Sequence, residues 1–278
     1  MTEEIIERLH QFTLTEEEKE TVSIEISDVL SSTNDCEVSL FGKVVSDKKV
    51  DLQGVKNTMP VAWGNPTGLQ IKEIGWNFFQ FKFKDKEGMN KVLFGTPWLY
   101  DKFLLNIQIW EPGLKSTSSI FNVCELWVQV WNIPLHWMSM DVGRKIGNAL
   151  GGIVDIVIPE NGSKEGQYIR PKARMNITKP LPRGKLIKLG SETTWVEISY
   201  ENLPYVCYYC GLLGHNEKTC AHRAKDVQDG TVKTDQFGIW LKAENHASFS
   251  EKHRQQGTNS TNGSPVVNGR RVERIVNS

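Results

Sequence analysis

Hydrophobic and polar positions change their period several times along the 278 residues, and each change marks an element. From Cys36, "CEVSLFGKVVS" is β-branched and aromatic and predicts a strand. In "DKKVDLQGVKNTMPVAW", Val50, Leu52, Val55 and Met59 recur at helical spacing, and Pro60 should end that helix. "LQIKEIG" and "WNFFQFKFK" predict a hairpin. "DKEGMNKVLFGTPWLYD" returns to helical spacing with Met89, Val92 and Leu93 on one side, and "KFLLNIQIW" predicts a closing strand.

The resulting order, β-α-β-β-α-β, is the ferredoxin-like arrangement, which RNA-recognition domains also use. A second unit starts near Cys124. "CELWVQVWNIP" predicts a strand ending at Pro134. "SMDVGRKIGNALGG" predicts a helix with Ser139 as N-cap and Gly151–Gly152 as the stop. "IVDIVIP", "QYIRPKARMNITKP" and "KLIKLGSETTWVEISYENLP" supply further strands, giving β-α-β-β and a hairpin with no second helix. The expected class is α+β, organised as an N-terminal arm (1–34), a ferredoxin-like unit (35–115), a second α+β unit (116–200), a cysteine-rich segment (201–224) and a polar tail (225–278). In the arm, helix is expected over Glu3–Phe12 and around Glu16–Glu20. The tail is rich in Gly, Ser and Asn and is expected to be largely disordered, with "FGIWLKAE" an apolar island able to dock on a core.

Charge changes this picture because it is segregated. The chain is neutral overall, yet residues 1–35 carry ten acidic and two basic groups, whereas residues 163–190 carry eight basic groups against Glu165. A segregated basic segment suits nucleic acid better than a neutral total suggests. The acidic start lacks the cationic and apolar regions of a secretory signal. No run of about 18 apolar residues suggests a membrane span. An intracellular protein is therefore expected, with nucleus or cytoplasm undecided. In such a setting clustered cysteines point to metal more than to disulfides.

Three of the five cysteines lie in "CYYCGLLGHNEKTC". The spacing Cys207-x2-Cys210-x4-His215-x4-Cys220 offers three thiolates and an imidazole, the usual donors of a closed structural zinc site. The alternative is a loop of free thiols. Fourteen residues cannot bury a core of their own, so metal bonds would supply the folding energy, on the order of 10–16 kcal/mol in small zinc modules. Gly211 and Gly214 fit turns of positive φ, the second relieving crowding around the metal.

"CYYCGLLGHNEKTC" resembles the zinc knuckle of retroviral and retrotransposon Gag proteins. With "LWVQVWNIPLHWMSMDVGRKIGNALGGIVDI", "YIRPKARMNITKPL", "YENLPYVCYYCGLLGH" and "FGIWLKA", the chain resembles a large plant family over roughly residues 35–243. In that family a domain of unknown function precedes a knuckle of this spacing, related to the first open reading frame of LINE-type retrotransposons. The resemblance implies one structural Zn2+, nucleic-acid binding and no catalysis.

Zinc knuckles hold single-stranded RNA or DNA by stacking an unpaired base on an aromatic ring. Tyr208 is expected to supply that ring, with Tyr209 a second candidate, while Lys218 and Arg223 could meet phosphates. Two further surfaces are candidates. Period-two alternation puts Trp76 and Phe78 on one strand face with Gln80, Lys82 and Lys84, a composition suited to base stacking unless the second unit covers it. In "YIRPKARMNITKP", Arg170, Lys172 and Arg174 share a face that could hold a phosphate backbone or remain merely solvated.

No phosphate loop, His-Glu-x-x-His, Gly-x-Ser-x-Gly or kinase signature occurs. Cys36 and Cys124 read as buried small side chains, and His136 as packed. The expected function is zinc-dependent, non-catalytic binding of single-stranded nucleic acid, RNA favoured, with self-association an option and no membrane or small-molecule partner. The alternative is a protein-interaction module that docks through the knuckle and an exposed sheet.

Overall fold

The computed structural model describes residues 13, 15–158 and 168–243. The helix expected over Glu3–Phe12, the basic residue Lys164 and the tail beyond residue 243 lie outside the described residues. Two compact units divide the chain. One comprises Met1–Lys43, Asp51–Thr96 and Ile107–Ser116; the other comprises Val44–Val50, Pro97–Asn106 and Thr117–Ser278.

Two short helices open the described chain, α1 (Glu16–Lys19) and α2 (Ile26–Glu37). The first sheet follows with its crossovers: β1 (Ser39–Val44), α3 (Leu52–Ala62), β2 (Gln70–Gly75), β3 (Phe78–Lys82), α4 (Lys86–Phe94), β4 (Trp98–Tyr100) and β5 (Phe103–Ile109). Its strand order is β2-β3-β1-β5-β4. With β4 a short extra edge strand, this is the ferredoxin-like order expected from the sequence.

Asp51 and Asp85 cap α3 and α4 by accepting the amides of Gly54 and Gly88. Each helix then turns one apolar side inward, Val55 and Met59 from α3, Met89 and Val92 from α4. Pro60 does not end α3, which runs on to Ala62. Proline has no amide to give the Lys56 carbonyl, so it weakens the helix at this turn, and the helix stops two residues later. Here the Trp63 amide closes back on the carbonyls of Met59 and Pro60, and the Trp63 ring lies edge-on to Phe81 at 4.9 Å. Cys36, read as a buried strand residue, is a half-buried residue in the last turn of α2.

The second sheet comprises β6 (Val123–Trp131), β7 (Ile153–Val157), β8 (Arg170–Asn176), β9 (Gly184–Leu189) and β10 (Glu192–Tyr200), with α5 (Met140–Ala149) between β6 and β7. Its order, β7-β8-β6-β10-β9, repeats the first sheet strand for strand. Ser139 caps α5 by accepting the Val142 amide. Gly143 and Gly147 then bring α5 so close to β7 that a Cβ on Gly143 would meet Ile156 and Ile169, at 2.2 and 2.9 Å.

In this sheet Leu126 faces Ala173, Val130 faces Ile198 and Val128 faces Tyr200. These residues form the inner face, while Glu125, Trp127 and Gln129 alternate onto the outer one. No helix joins β8 to β9 among the described residues. Instead Leu181, Val206, Leu213 and Leu241 enter the same core, with Phe237 and Trp240 packed on it. The short 3-10 turn at Ile239–Leu241 meets β10, where Tyr200 bridges Lys242. The "FGIWLKA" island therefore docks as expected.

Tyr200 is fully buried and its hydroxyl donates to the Pro182 carbonyl at 2.7 Å. Removing a buried donor strands its acceptor, at about 1–3 kcal/mol. The Tyr200→Phe variant should lose stability by that amount in urea unfolding, with an unchanged denaturant slope.

Candidate metal centre and adjoining cleft

The ligand segment begins as a small hairpin. Val206 bridges Leu213, the Cys207 amide donates to the Leu212 carbonyl at 2.9 Å, and the Gly211 amide donates to the Cys207 carbonyl at 2.8 Å. This turn delivers Cys207 and Cys210 to one side. His215 follows on the return strand, and Cys220 caps α6 (Ala221–Gln228), where its sulfur accepts the Arg223 amide at 3.4 Å.

The donor atoms of Cys207, Cys210, His215 and Cys220 all lie within 4.8 Å of one another, with Cys210 Sγ and His215 Nε2 3.3 Å apart. A tetrahedral zinc ion, at about 2.3 Å from sulfur and 2.0–2.1 Å from nitrogen, sets its donors roughly 3.5–3.8 Å apart. The four donors are gathered closely enough to close on one such ion with shifts of about an ångström. Burial raises the Cys207 thiol above its ordinary range and pushes Cys210 up to about 12. Opposing burial, the nearby backbone amides of Cys210 and Tyr209 lower the Cys207 thiol and that of Leu212 lowers the Cys210 thiol, favouring the thiolates that a metal requires.

The two glycines adopt φ of 76° at Gly211 and 89° at Gly214, as expected. Protein rather than metal forbids a side chain there. A Cβ on Gly211 would meet the Phe237 ring at 2.4 Å, and one on Gly214 the Val45 carbonyl at 2.7 Å. The hairpin is also tied by backbone hydrogen bonds from Leu181 to Gly211 and from Asp47 to Gly214, both 2.9 Å. A third runs from the Tyr205 amide to the Lys102 carbonyl, at 2.7 Å. The ligand segment is thus no self-standing ribbon. It is built into the core of the second unit, which corrects the expectation that metal bonds alone order it.

Beside the cage lies a cleft of about 800 Å³, lined by Lys102, Leu203, Pro204, Tyr205, Val206, Tyr208, Asn216, Glu217, Lys218, Arg223 and Lys242. Four cations face one carboxylate there. Tyr208 is 36% exposed. Burial lifts its hydroxyl above the ordinary tyrosine range, so the ring stays neutral at physiological pH. Among the sequence candidates Tyr208, Lys218 and Arg223 meet in this cleft. Tyr209 does not: its hydroxyl is engaged by Asp226 at 2.5 Å and by the Lys233 amide at 3.3 Å.

The other two candidate surfaces fare differently. Trp76 is 62% exposed but sits in the β2–β3 turn, outside the strand alternation. Phe78 is 4% exposed, tilted against Phe41 at 6.1 Å, and offers no face to a base; this corrects its assignment as a stacking residue. Arg170, Lys172 and Arg174 do share the outer face of β8, but carboxylates of neighbouring strands meet them. Arg170 holds Glu201 through two bonds, at 2.7 and 2.6 Å, and lies 3.9 Å over the Trp127 ring. The hydrogen bonds of that pair raise the arginine and hold the Glu201 carboxyl below the usual range. Glu125 meets Lys172 at 3.2 Å and Arg174 at 3.3 Å. Three cations therefore face two carboxylates, which corrects the reading of this row as an open phosphate track. His136, read as packed, is exposed, with Trp137 edge-on to it at 5.8 Å.

Sequence reasoning missed Lys102, Tyr205 and Lys242. Tyr205 could have been found as the aromatic residue two positions before the first ligand, Cys207. Lys102 carries no such signal, since only the fold brings the β4–β5 turn to the ligand hairpin.

Comparison with known proteins agrees with this layout. Residues 32–118 match the family described as "Domain of unknown function (DUF4283)", and residues 175–222 match the family described as "Zinc knuckle". An uncharacterized Arabidopsis thaliana protein, At4g02000, is 29% identical over 133 residues, which cover 48% of this chain and 42% of that protein. The chain thus spans less than half the length of that relative. A crystal structure of three N-terminal RNA binding domains of the yeast splicing factor Prp24 overlaps 63% of this chain and 77% of its own. Its 11% identity and TM-score of 0.23 leave that overlap without weight. No helix among the described residues is long and apolar enough to cross a membrane.

Two outcomes follow for the metal. Because thiols must shed protons to bind it, affinity should rise with pH between about 6 and 8 in competition with a chromophoric chelator. Stripping the metal should also lower the melting temperature of the second unit as a whole and shift the fluorescence of Trp240, because Val206 and Leu213 belong to that unit's core.

Proposed function

We propose that this protein is a zinc-dependent, non-catalytic binder of single-stranded nucleic acid. The observation that carries this reading is the juxtaposition of the Cys3His cage with a cationic cleft exposing Tyr208. The cage would hold one structural zinc through Cys207, Cys210, His215 and Cys220. With four protein donors, such a shell leaves no position for a substrate or an activated water. A thiolate site also suits a reducing, intracellular compartment.

In this reading one unpaired base stacks on Tyr208, while Lys218, Arg223 and Lys242 meet phosphates. Single strands fit better than duplex, because stacking needs a base free on at least one face. RNA is favoured on the resemblance of the knuckle to Gag proteins. The same resemblance and the plant relative support an origin in a plant retrotransposon. Self-association is compatible with this arrangement.

The test is binding of the full chain to a random single-stranded RNA pool, with and without chelator. Binding should vanish with chelator and should weaken with salt on a log–log slope of roughly −2 to −3, at about −0.7 per phosphate contact. Tyr208→Ala should cost about 1–3 kcal/mol of binding free energy, the worth of one stacked base. Binding indifferent to chelator would exclude this function.

A further inference from the structure

We infer that the nucleic-acid site extends beyond the knuckle, and that Lys102, on the β4–β5 turn, holds a phosphate of a strand whose neighbouring bases stack on Tyr205 and Tyr208. The inference rests on the nucleic-acid reading above and specifies its ligand: a single strand spanning at least two unpaired nucleotides.

The argument starts from the turn. Asp101 and Lys102 join β4 to β5 as a two-residue loop, with φ of 46° and 67°. Tight hairpin turns with both central residues at positive φ favour Asn or Asp first and glycine second, because a Cβ in the left-handed region is strained. Asp101 obeys that rule and Lys102 breaks it. A side chain occupies the position where the backbone alone would do better without one. Residues in such conformations concentrate at ligand clamps. The placement here supplies a use, since the side chain adds a cation to the cleft.

Two further observations place that cation. The Lys102 carbonyl accepts the Tyr205 amide at 2.7 Å, so the root of the lysine is fixed to the backbone that carries the tyrosine. Lys102 also lines the same cleft as Tyr205, Tyr208, Lys218, Arg223 and Lys242. A lysine, a compact charge on a flexible stem, suits phosphate recognition that demands no fixed angle.

The two tyrosines fix the number of bases. Tyr205 is 37% exposed, much as Tyr208 is, and its ring sits 5.1 Å from Phe103. With Phe103 to one side, Tyr205 keeps an open part facing the cleft. Each ring accepts a base on one face, so two rings serve two bases. The positive charge around them comes from three separate stretches of chain: the β4–β5 turn, the knuckle with the start of α6, and the residue after the 3-10 turn.

The test uses the full, zinc-loaded chain and a labelled random RNA oligomer about twelve nucleotides long, within the usual footprint of single-strand binders. Lys102→Gly relaxes the turn while removing the cation, so the melting temperature should hold or rise while Kd rises about three- to tenfold. The salt slope should become shallower by about 0.7, one phosphate contact fewer. Lys102→Arg should keep wild-type binding, and Lys102→Gln should weaken it at unchanged melting temperature. Tyr205→Ala should weaken binding of the oligomer but leave a single labelled nucleotide unaffected.

If Lys102→Gly and Lys102→Gln leave both Kd and salt slope unchanged while Tyr208→Ala still weakens binding, the site is the knuckle alone and this inference is wrong. If the wild-type chain fails to bind the oligomer at all, the nucleic-acid reading itself falls, and this inference with it.

Discussion

The hairpin that carries the metal donors is also part of the hydrophobic core. Val206 and Leu213 pair with each other, and both side chains are buried in the cluster that contains Val128, Ile198 and Tyr200. Burying such side chains stabilises by about 1.5–3 kcal/mol each, and a structural metal adds on the order of 10 kcal/mol to a small module. Because the same few residues serve both, the two contributions are not separable. A bound metal would close the hairpin in the shape the core needs, and the core already holds the donors near one point. Three backbone hydrogen bonds, to Lys102, Asp47 and Leu181, reinforce that arrangement from three directions.

This coupling decides where a ligand can meet charge. Counting cations along the sequence favours residues 163–190, but electrostatic attraction depends on what stands opposite each cation. On β8 the antiparallel register sets Glu125 against Arg174, and Glu201 reaches Arg170 with near-ideal two-point geometry. Such a pair satisfies itself, and a phosphate would have to displace a carboxylate already in place. In the cleft beside the cage, Lys102, Lys218 and Arg223 line the wall with one carboxylate, Glu217, and form no ion pair among the described residues. These three are more available to a ligand than the paired cations of β8.

The sequence disclosed what depends on local pattern. Ser139 before a helical run, the Gly151–Gly152 stop, the alternation of Pro171, Ala173 and Met175, and the four donors at fixed spacing all rest on neighbours within a few residues. What it concealed depends on residues far away in the chain. Alternation puts Phe78 on the face opposite Phe79, yet nothing local says that Phe41 lies beside it. Three alternating cations reveal a shared face, but not the carboxylates on β6 and beyond β10. The glycines of the knuckle were legible as turns of positive φ. That Phe237 and Val45 crowd them was not, since both lie well outside the ligand segment. Pro60 misled by two residues only: its missing amide weakens the turn, but the Trp63 amide closes back on Met59 and Pro60 and lets the helix reach Ala62.

The repeated strand order explains why a knuckle should sit where it does. In the first sheet the crossover between β3 and β4 is long enough to contain α4, whose Met89 and Val92 are buried. In the second, the equivalent crossover from β8 to β9 is only the seven residues 177–183, too short for a helix of ordinary length with its caps. The inner side of β10 would be left bare unless later chain returned to cover it. Its cover is the segment just beyond, the ligand hairpin with Leu213 and the 3-10 turn with Leu241. A cover this short has little apolar surface, which is where a metal is most useful to stability. It also means that Tyr205 and Tyr208 are carried on a piece that cannot move away without exposing Ile198 and Tyr200. Both rings are therefore held in place by the same burial that completes the fold, so in the proposed function a base would meet rings already in position.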